Sequence, residues 1–286
     1  YVITLDTDTD LPRESAWKLI GAMAHPLNQA QFDPVRRRVT RGYGILQPRV
    51  AVNLADLAAS AYARVNGGDA GIDPYTNTVS DVYQDTFKEG SFVGKGIYDV
   101  DAFEAALKDC FPDNRVLSHD LLEGCYARSG LLSDVQLFEG HPARYSADVS
   151  RRHRWIRGDW QLLGWLFGHP PRPPGTAGGP PLAWLARCKI LDNLRRSLVS
   201  PSLVLLMALG WTLLPYPWLW TGAGVMVVFL PALFASALGA VRKGDDVLLG
   251  QHLLGWVPST LKQFSRAAFA FSAMAHEALY NLDAIG

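Results

Sequence analysis

The feature that most limits what this chain can fold into is a run of 45 residues, 197–241, that contains no Asp, Glu, Lys, Arg or His. One membrane span needs about 20 apolar residues, so the run is long enough for two spans and a turn. A pair of buried core helices is the alternative. Core helices rarely lack every charge over such a length, which favours a membrane hairpin.

The turn of the hairpin is predicted at 214–218, where two prolines lie among aromatic residues typical of the lipid headgroup region. The spans are then about 198–215 and 218–241. Arg195-Arg196 precede the first span and Arg242-Lys243 follow the second, so both basic pairs lie on one side. The positive-inside rule makes that side cytoplasmic.

Composition excludes several classes of protein for these 286 residues. A formal net charge of zero excludes a strongly basic nucleic-acid binder and an acidic tail. Hydrophobic residues make up 49% and charged residues 19%, which excludes a disordered chain. Three cysteines are too few for a disulfide scaffold and fit no metal-ligand spacing, so we expect a reduced, cytosol-facing compartment. We also expect the chain to be a piece of a longer protein.

Alternating apolar runs and helical patterns predict an α/β fold. The run 1–5 is typical of a buried central strand. Further extended runs are predicted at 43–52, 116–122 and 135–138, helices at 15–24, 54–65 and from Asp101, and a long loop at 68–96. Asp101 and Glu104 are a predicted capping pair for the third helix.

A Pro/Gly-rich segment, 168–181, predicts a linker or exposed loop. The amphipathic segment 182–198 that follows fits a helix at the membrane interface with Trp184 as an anchor, or an ordinary surface helix. From 248 to 285 the pattern is amphipathic again, and both a surface position and further spans remain open.

Asp6 and Asp8 directly follow the first predicted strand. Ligands of open α/β sheets bind beyond the carboxyl ends of strands. Two carboxylates two residues apart can converge on one Mg²⁺ or Mn²⁺, which would offset charge on a departing diphosphate. The alternative is an Asx-rich turn that caps the next helix.

His119 and Asp120 interrupt the apolar run 116–122. A partly buried carboxylate has a raised pKa and can take a proton from an acceptor hydroxyl, so Asp120 is a candidate general base. The alternative role for Asp120 is a helix N-cap.

Arginines and tryptophans are concentrated at 151–161. The planar guanidinium pairs bidentately with phosphate oxygens, and indole offers a flat face to a sugar ring. Arg151, Arg154 and Trp155 are therefore candidate substrate ligands, and a cluster that touches anionic lipid is the alternative. The glycine-rich loop 89–96 fails the phosphate-loop pattern, which leaves a mobile lid or a plain turn.

These motifs occur in an order that resembles the family 2-type processive membrane glycosyltransferases, whose pattern is D…DxD…[TE]D…QxxRW on a GT-A fold. Asp6 and Asp8 match the metal-binding pair, and Asp120 matches the catalytic base. Arg154 and Trp155 match the last motif, whereas Arg151 stands in place of its Gln. Ser118-His119 replace Thr-Glu. The first aspartate of the pattern would precede Tyr1.

A closer resemblance is to the glycosyltransferase region of cyclic β-1,2-glucan synthases. It covers essentially the whole chain, through strings such as TLDTDTDLP, GYGILQPRV, LSHDLLEG and RRHRWIRGDWQ. The resemblance implies UDP-glucose as donor, Mg²⁺ or Mn²⁺, and a β-1,2-glucan acceptor. It also implies a multi-pass protein of the bacterial inner membrane with a cytoplasmic catalytic domain. The larger synthase would include a phosphorylase-like domain.

The resemblance implies a division into domains and a set of roles. Residues 1–167 would be a GT-A catalytic domain truncated at its amino terminus, 168–181 a linker, and 182–286 the membrane-associated part. The donor diphosphate would lie on the metal and on Arg151 and Arg154. Trp155 and His119 would bind the acceptor, and the transfer would invert the anomeric centre.

Two other classes of function remain alternatives, besides another family 2-type polysaccharide synthase. A haloacid-dehalogenase-like phosphohydrolase also places two aspartates after a strand, but its fifth motif position is Asp10 here rather than Thr. Its later Lys and acidic pair could only be residues 243–246. The other alternative is a non-catalytic membrane scaffold.

Overall fold

The computed structural model describes residues 1–67, 82–112, 114–176, 178–243 and 246–286. Half of the loop predicted at 68–96, its residues 68–81, lies outside the described residues, as do two of the residues 243–246. The chain divides into two compact units, Tyr1–Leu194 and Arg195–Gly286.

Strands and helices are mixed along the first unit, which confirms the α/β class. The strands are β1 (Val2–Thr4), β2 (Thr9–Asp10), β3 (Gln31–Asp33), β4 (Arg38–Arg41), β5 (Ile45–Val52), β6 (Gly96–Tyr98) and β7 (Ser129–Glu139). Five of them form one sheet in the order β1-β6-β5-β7-β2, in which only β5 and β7 are parallel neighbours. β3 and β4 form a separate antiparallel pair.

The prediction that β1 is a central strand is wrong for the sheet as described. β1 pairs with β6 alone and lies at the edge. Ile3 packs against the core, while Val2 is exposed. A short apolar run such as 1–5 cannot distinguish a strand buried on both faces from one buried on a single face.

The first unit contains nine helical segments in the described residues. They are α1 (Ser15–Ala24), α2 (Leu54–Ala58), α3 (Ala61–Asn66), α4 (Val82–Phe87), α5 (Val100–Leu107), α6 (Asp120–Ala127), α7 (Tyr145–Gln161), α8 (Leu163–Leu166) and α9 (Trp184–Ser197), which ends just beyond the unit boundary. α1 has the predicted bounds. α4 falls inside the segment that was predicted to be a loop.

Local capping explains two differences at helix ends. The helix predicted at 54–65 is broken into α2 and α3, because the extended Ser60 accepts a hydrogen bond from the Ala63 amide at 2.9 Å and starts a new helix. α5 is capped by Asp99, whose Oδ1 accepts from the Ala102 amide at 3.0 Å, and not by Asp101.

The predicted extended run at 116–122 is also wrong. Residues 116–119 form no strand, and α6 begins at Asp120. The N-cap position is His119, so Asp120 is the first helical residue rather than the cap. The strand predicted at 135–138 is confirmed as the end of the longer β7.

The sheet is covered on both faces. Ile45 of β5 belongs to a large cluster with α5, α6 and α9, while its neighbour Leu46 belongs to a smaller cluster with Leu19 and Met23 of α1. Alternate side chains of a strand point to opposite faces, so β5 is the centre of a three-layer arrangement.

The predicted membrane face of α9 is partly used by the protein itself. Ile190 and Leu194 are buried in the large cluster, so they do not face lipid. The charged Lys189 is buried as well, and its Nζ donates to the Gly90 carbonyl at 2.7 Å. Trp184 remains exposed.

The segment 168–181 has no helix or strand in its described residues. Hydrogen bonds attach it to the rest of the first unit, of which it is a part. Arg37 Nη1 donates to the Gly178 carbonyl at 2.8 Å, and the Tyr126 hydroxyl donates to the Pro180 carbonyl at 2.9 Å.

The second unit is helical. After the end of α9 it contains α10 (Val199–Thr212), α11 (Pro217–Val241) and α12 (Leu249–Ile285). The turn between α10 and α11 lies where the two prolines predict it, and Pro217 takes the first position of α11, where its missing amide hydrogen costs nothing.

One helix in the described part of the chain, α11, is long and apolar enough to cross a membrane. α10 has 14 residues, about 21 Å of helix, which is shorter than a bilayer core of about 30 Å. The two-span hairpin therefore remains a prediction. α12 is a single helix of 37 residues that contains Pro258.

Candidate functional site

The loop after β1 meets the turn before β6. Lys95 Nζ lies 2.9 Å from Asp6 Oδ2 and 2.8 Å from Glu139 Oε2 at the end of β7. The Lys95 side chain is only 9% exposed, and Glu139 is 11% exposed, whereas Asp6 is 54% exposed. Burial alone would lower the pKa of Lys95, but the two carboxylates outweigh it and raise that pKa.

The ionic contacts continue from Glu139 to α7. Arg151 Nη1 lies 3.4 Å from Glu139 Oε1, and its Nη2 lies 3.5 Å from Asp148 Oδ1. We call the residues Asp6, Lys95, Glu139 and Arg151 the Lys95 network. It joins two predicted site residues, one from the start of the chain and one from α7, through two residues that were not predicted.

Asp120 lies beside the same turn. Gly94 has φ +85°, and a Cβ at that position would lie 3.1 Å from Asp120 Oδ2. Burial raises the pKa of the Asp120 carboxyl to about 6, His119 and Lys95 oppose the rise, and Glu123 and Asp6 add to it. The Gly94-Lys95 turn thus contacts Asp120 on one side and Asp6 on the other.

His119 is held by the helix that it precedes. Its Nδ1 lies 2.7 Å from Glu123 Oε1 and 3.8 Å from Asp120 Oδ1. The hydrogen bond to Glu123 raises the pKa of His119. A positive imidazolium here would favour the charged form of Asp120.

A broad cleft borders Glu123 in the first unit and encloses about 780 Å³. Aromatic, proline and arginine side chains share its wall. They include Phe103, Phe111, Arg115, Pro171 and Arg172. This mixture of flat apolar surfaces and hydrogen-bond donors suits an uncharged polar ligand.

The remaining predicted residues do not belong to the Lys95 network as defined, although Trp155 contacts its Arg151. Trp155 has the Arg151 guanidinium over its ring, 4.7 Å from the centroid. Arg154 is exposed, and we find no ion pair between it and another described residue. The carboxylates of Asp8 and Asp56 both border Gly140. A Cβ atom added at Gly140 would lie 3.6 Å from Asp8 Oδ2 and 3.4 Å from Asp56 Oδ2.

The donor atoms of Asp6 and Asp8 suit a hard cation, but Asp6 already contacts the Lys95 ammonium. Within the described ranges, the three side chains with ligand atoms close enough to share an ion are His119, Asp120 and Glu123, within 4.8 Å of one another. A cation at the predicted pair would therefore have to compete with Lys95.

Sequence reasoning missed Lys95 and Glu139 as site residues. Glu139 follows the predicted strand 135–138, and the rule that ligands bind beyond strand ends could have singled it out. Lys95 lies between Gly94 and Gly96 in the glycine-rich loop 89–96, whose spacing fails the phosphate-loop pattern. A lysine between two glycines was the available signal.

Comparison with known proteins tests the resemblance. No family model matches the chain. It is 42% identical to the cyclic beta-(1,2)-glucan synthase NdvB of Rhizobium meliloti (strain 1021) over 288 aligned residues, which cover 100% of this chain and 10% of that protein. The chain thus spans about a tenth of the length of the relative that it matches. This identity over the full chain confirms the predicted resemblance to a region of a cyclic glucan synthase.

Proposed function

We propose that this chain is the glucosyl-transferring region of a bacterial membrane synthase. It would move glucose from UDP-glucose to a growing β-1,2-glucan, processively and with inversion, on a GT-A catalytic domain. The single observation that carries the proposal is the similarity along the whole chain to a cyclic glucan synthase, which suggests a glucan-synthesising glycosyltransferase.

Asp120 acts as the general base in this proposal. Its carboxylate takes the proton from the 2-hydroxyl of the acceptor glucose as that oxygen bonds to the anomeric carbon. The bond from the anomeric carbon to the diphosphate breaks on the opposite face, so an α-linked donor yields a β link. A pKa of about 6 suits this role, because the group is mostly ionised at neutral pH yet remains basic.

Asp6 and Asp8 would hold Mg²⁺ or Mn²⁺ beside the donor. When bound, the cation neutralises charge that builds on the departing diphosphate. Arg151 is already held by Glu139 and Asp148, so it supplies a fixed positive charge. The exposed guanidinium of Arg154 is available to pair with phosphate oxygens.

Trp155 and His119 would bind the acceptor. The Arg151 guanidinium covers part of the indole of Trp155, and the rest of the half-buried ring offers a flat surface to a sugar. The cleft is bordered by Glu123, whose carboxylate contacts His119, and it offers room for preceding glucose units. Its phenylalanine rings and arginines match the apolar faces and the hydroxyls of a glucan.

The proposed setting is the bacterial inner membrane, with the first unit in the cytoplasm. The apolar α11 and the similarity to a much longer synthase are compatible with a membrane-anchored part of a multidomain protein. The partners would be the lipid bilayer and further domains, including a phosphorylase-like domain.

The decisive experiment replaces Asp120 by Asn in the full-length protein and measures glucan formation, UDP release and UDP binding. We expect transfer to fall at least about 100-fold while UDP binding persists. The matched control is Asp134→Asn, an exposed carboxylate on β7 with no assigned role. Near-wild-type glucan output from the Asp120→Asn protein would refute the proposal, as would release of inorganic phosphate instead of UDP.

A further inference from the structure

We propose that Lys95 is a positioning residue that competes with the divalent cation for the Asp6 carboxylate. This inference rests on the proposed function, because it concerns the same donor site. The Lys95 ammonium would hold Asp6 in place before the donor arrives. A cation could bind Asp6 only by breaking the contact between Asp6 and the ammonium.

The two partners of Lys95 differ in how firmly they hold it. Glu139 is almost buried and is also fixed by Arg151, so its bond to Lys95 is shielded from water. Asp6 is 54% exposed, and water weakens its attraction to the same ammonium. Glu139 is therefore the anchor of Lys95, and Asp6 is the partner that can be exchanged.

The backbone on both sides of Lys95 has a conformation that only glycine adopts readily. Gly94 has φ +85° and Gly96 has φ +156°, and a Cβ at Gly96 would lie 2.4 Å from the Leu46 carbonyl oxygen. Both positions thus require glycine. Lys95 has a defined place in the turn, and its bond to the nearly buried Glu139 keeps the ammonium at the site when Asp6 changes partner.

The Lys95 ammonium and the divalent cation carry the same sign of charge, so they compete directly for the Asp6 carboxylate. A divalent cation on Asp6 would lie close to an ammonium that Glu139 retains, and the two positive charges repel. Removal of the Lys95 charge should therefore strengthen cation binding. A purely structural lysine has the opposite signature, since its loss would disorder Asp6 and weaken binding.

The test measures Mn²⁺ binding to the full-length protein without nucleotide, by electron paramagnetic resonance of free Mn²⁺. We expect Lys95→Gln to lower the Mn²⁺ dissociation constant about tenfold and Lys95→Arg to leave it near the wild-type value. Lys18→Gln, which removes an exposed lysine of α1, should change nothing. The gain should disappear when Lys95→Gln is combined with Asp6→Asn.

Because Lys95→Gln leaves Glu139 buried without its lysine, a second variant, Lys95→Met with Glu139→Gln, removes both charges and should bind Mn²⁺ more tightly as well. Weaker or unchanged Mn²⁺ binding in both variants, with binding still sensitive to Asp6→Asn, overturns the inference and leaves the metal site standing. Mn²⁺ binding that is insensitive to Asp6→Asn overturns both.

Discussion

The two units handle buried polar groups in different ways. In the first unit, buried cations are paired with carboxylates, as in Lys95 with Glu139 and Lys189 with Glu89, the latter at 3.1 Å. In the second unit, the contacts around α11 are neutral. Ser236 Oγ lies 2.9 Å from Thr260 Oγ1, and Trp256 Nε1 donates to the Ser236 carbonyl at 2.8 Å.

The difference follows from the partners that each unit can offer to a polar group away from water. A charge away from water is tolerated when a partner and further hydrogen bonds surround it, and a folded α/β layer can supply both. A helix that faces lipid, as we propose for α11, has no such partners, so uncharged hydroxyl and indole groups bond to the neighbouring helix. Charge is therefore informative about function in the first unit, whereas in the second its absence is informative.

The largest effect should come from breaking a charged pair of the first unit. Lys189 is 3% exposed, and Lys189→Met would leave Glu89 without its ammonium. We expect a loss of about 3–5 kcal/mol in the free energy of unfolding, seen as a lower thermal midpoint of the full-length protein. Lys18→Met, at an exposed site, should change it by less than about 0.5 kcal/mol. Equal midpoints would contradict the importance of buried ion pairs.

A charge placed in α11 tests the other side of the comparison. Met226 is exposed in the middle part of the helix, and Met226→Lys should cost about 2.5–3.5 kcal/mol in membrane insertion of the α11 segment. A glycosylation reporter on the segment measures the inserted fraction. Val241→Lys, at the helix end, should be tolerated because its ammonium can reach the interface. Equal insertion of the two variants would argue against a span.

The pH dependence of transfer tests the environment of Asp120. Burial raises its pKa from 3.8 to about 6, and the base must be ionised. We therefore expect kcat/KM to fall about tenfold for each pH unit below about 6. This group's contribution to stability is full below about 3.8 and lost as pH rises through about 6, so its protonation does not unfold the protein. A rate that is flat down to pH 4.5 would exclude Asp120 as the base.

The smallest effect should come from a neutral bond of the second unit. Ser236→Ala removes the contact with Thr260 and should cost about 0.6 kcal/mol, as is usual for such bonds in membrane proteins. Thermal unfolding of Ser236→Ala, Thr260→Val and the double variant forms a cycle. The loss of unfolding free energy in the double variant should be smaller than the sum of the two single losses, by at least the energy of the Ser236–Thr260 bond. A loss of several kcal/mol would mean that the two units do not differ as described.

Sequence patterns predicted the elements whose signals are local. The apolar spacing of α1 and the extended run of β5 are visible in short windows, and both are confirmed. Windows of this kind cannot show that Ser60 would cap a new helix, or that Ile190 would pack against protein rather than lipid. An apolar helix face looks the same whether a sheet or a bilayer covers it.

The candidate site was predicted in its parts but not in its connections. Asp6, Asp120 and Arg151 were each recognisable from residue type and neighbours. Their grouping depends on Lys95 and Glu139. Lys95 is distant in sequence from both Asp6 and Glu139, and these residues meet only after the sheet forms. Long-range ion pairs leave no periodic signature in a chain.

The Gly94-Lys95 turn makes two parts of the candidate site depend on one short piece of backbone. One turn contacts both the carboxyl that would accept a proton and the carboxyl that would accept a cation. A change in the backbone of this turn should therefore disturb the proposed base and the proposed cation site together.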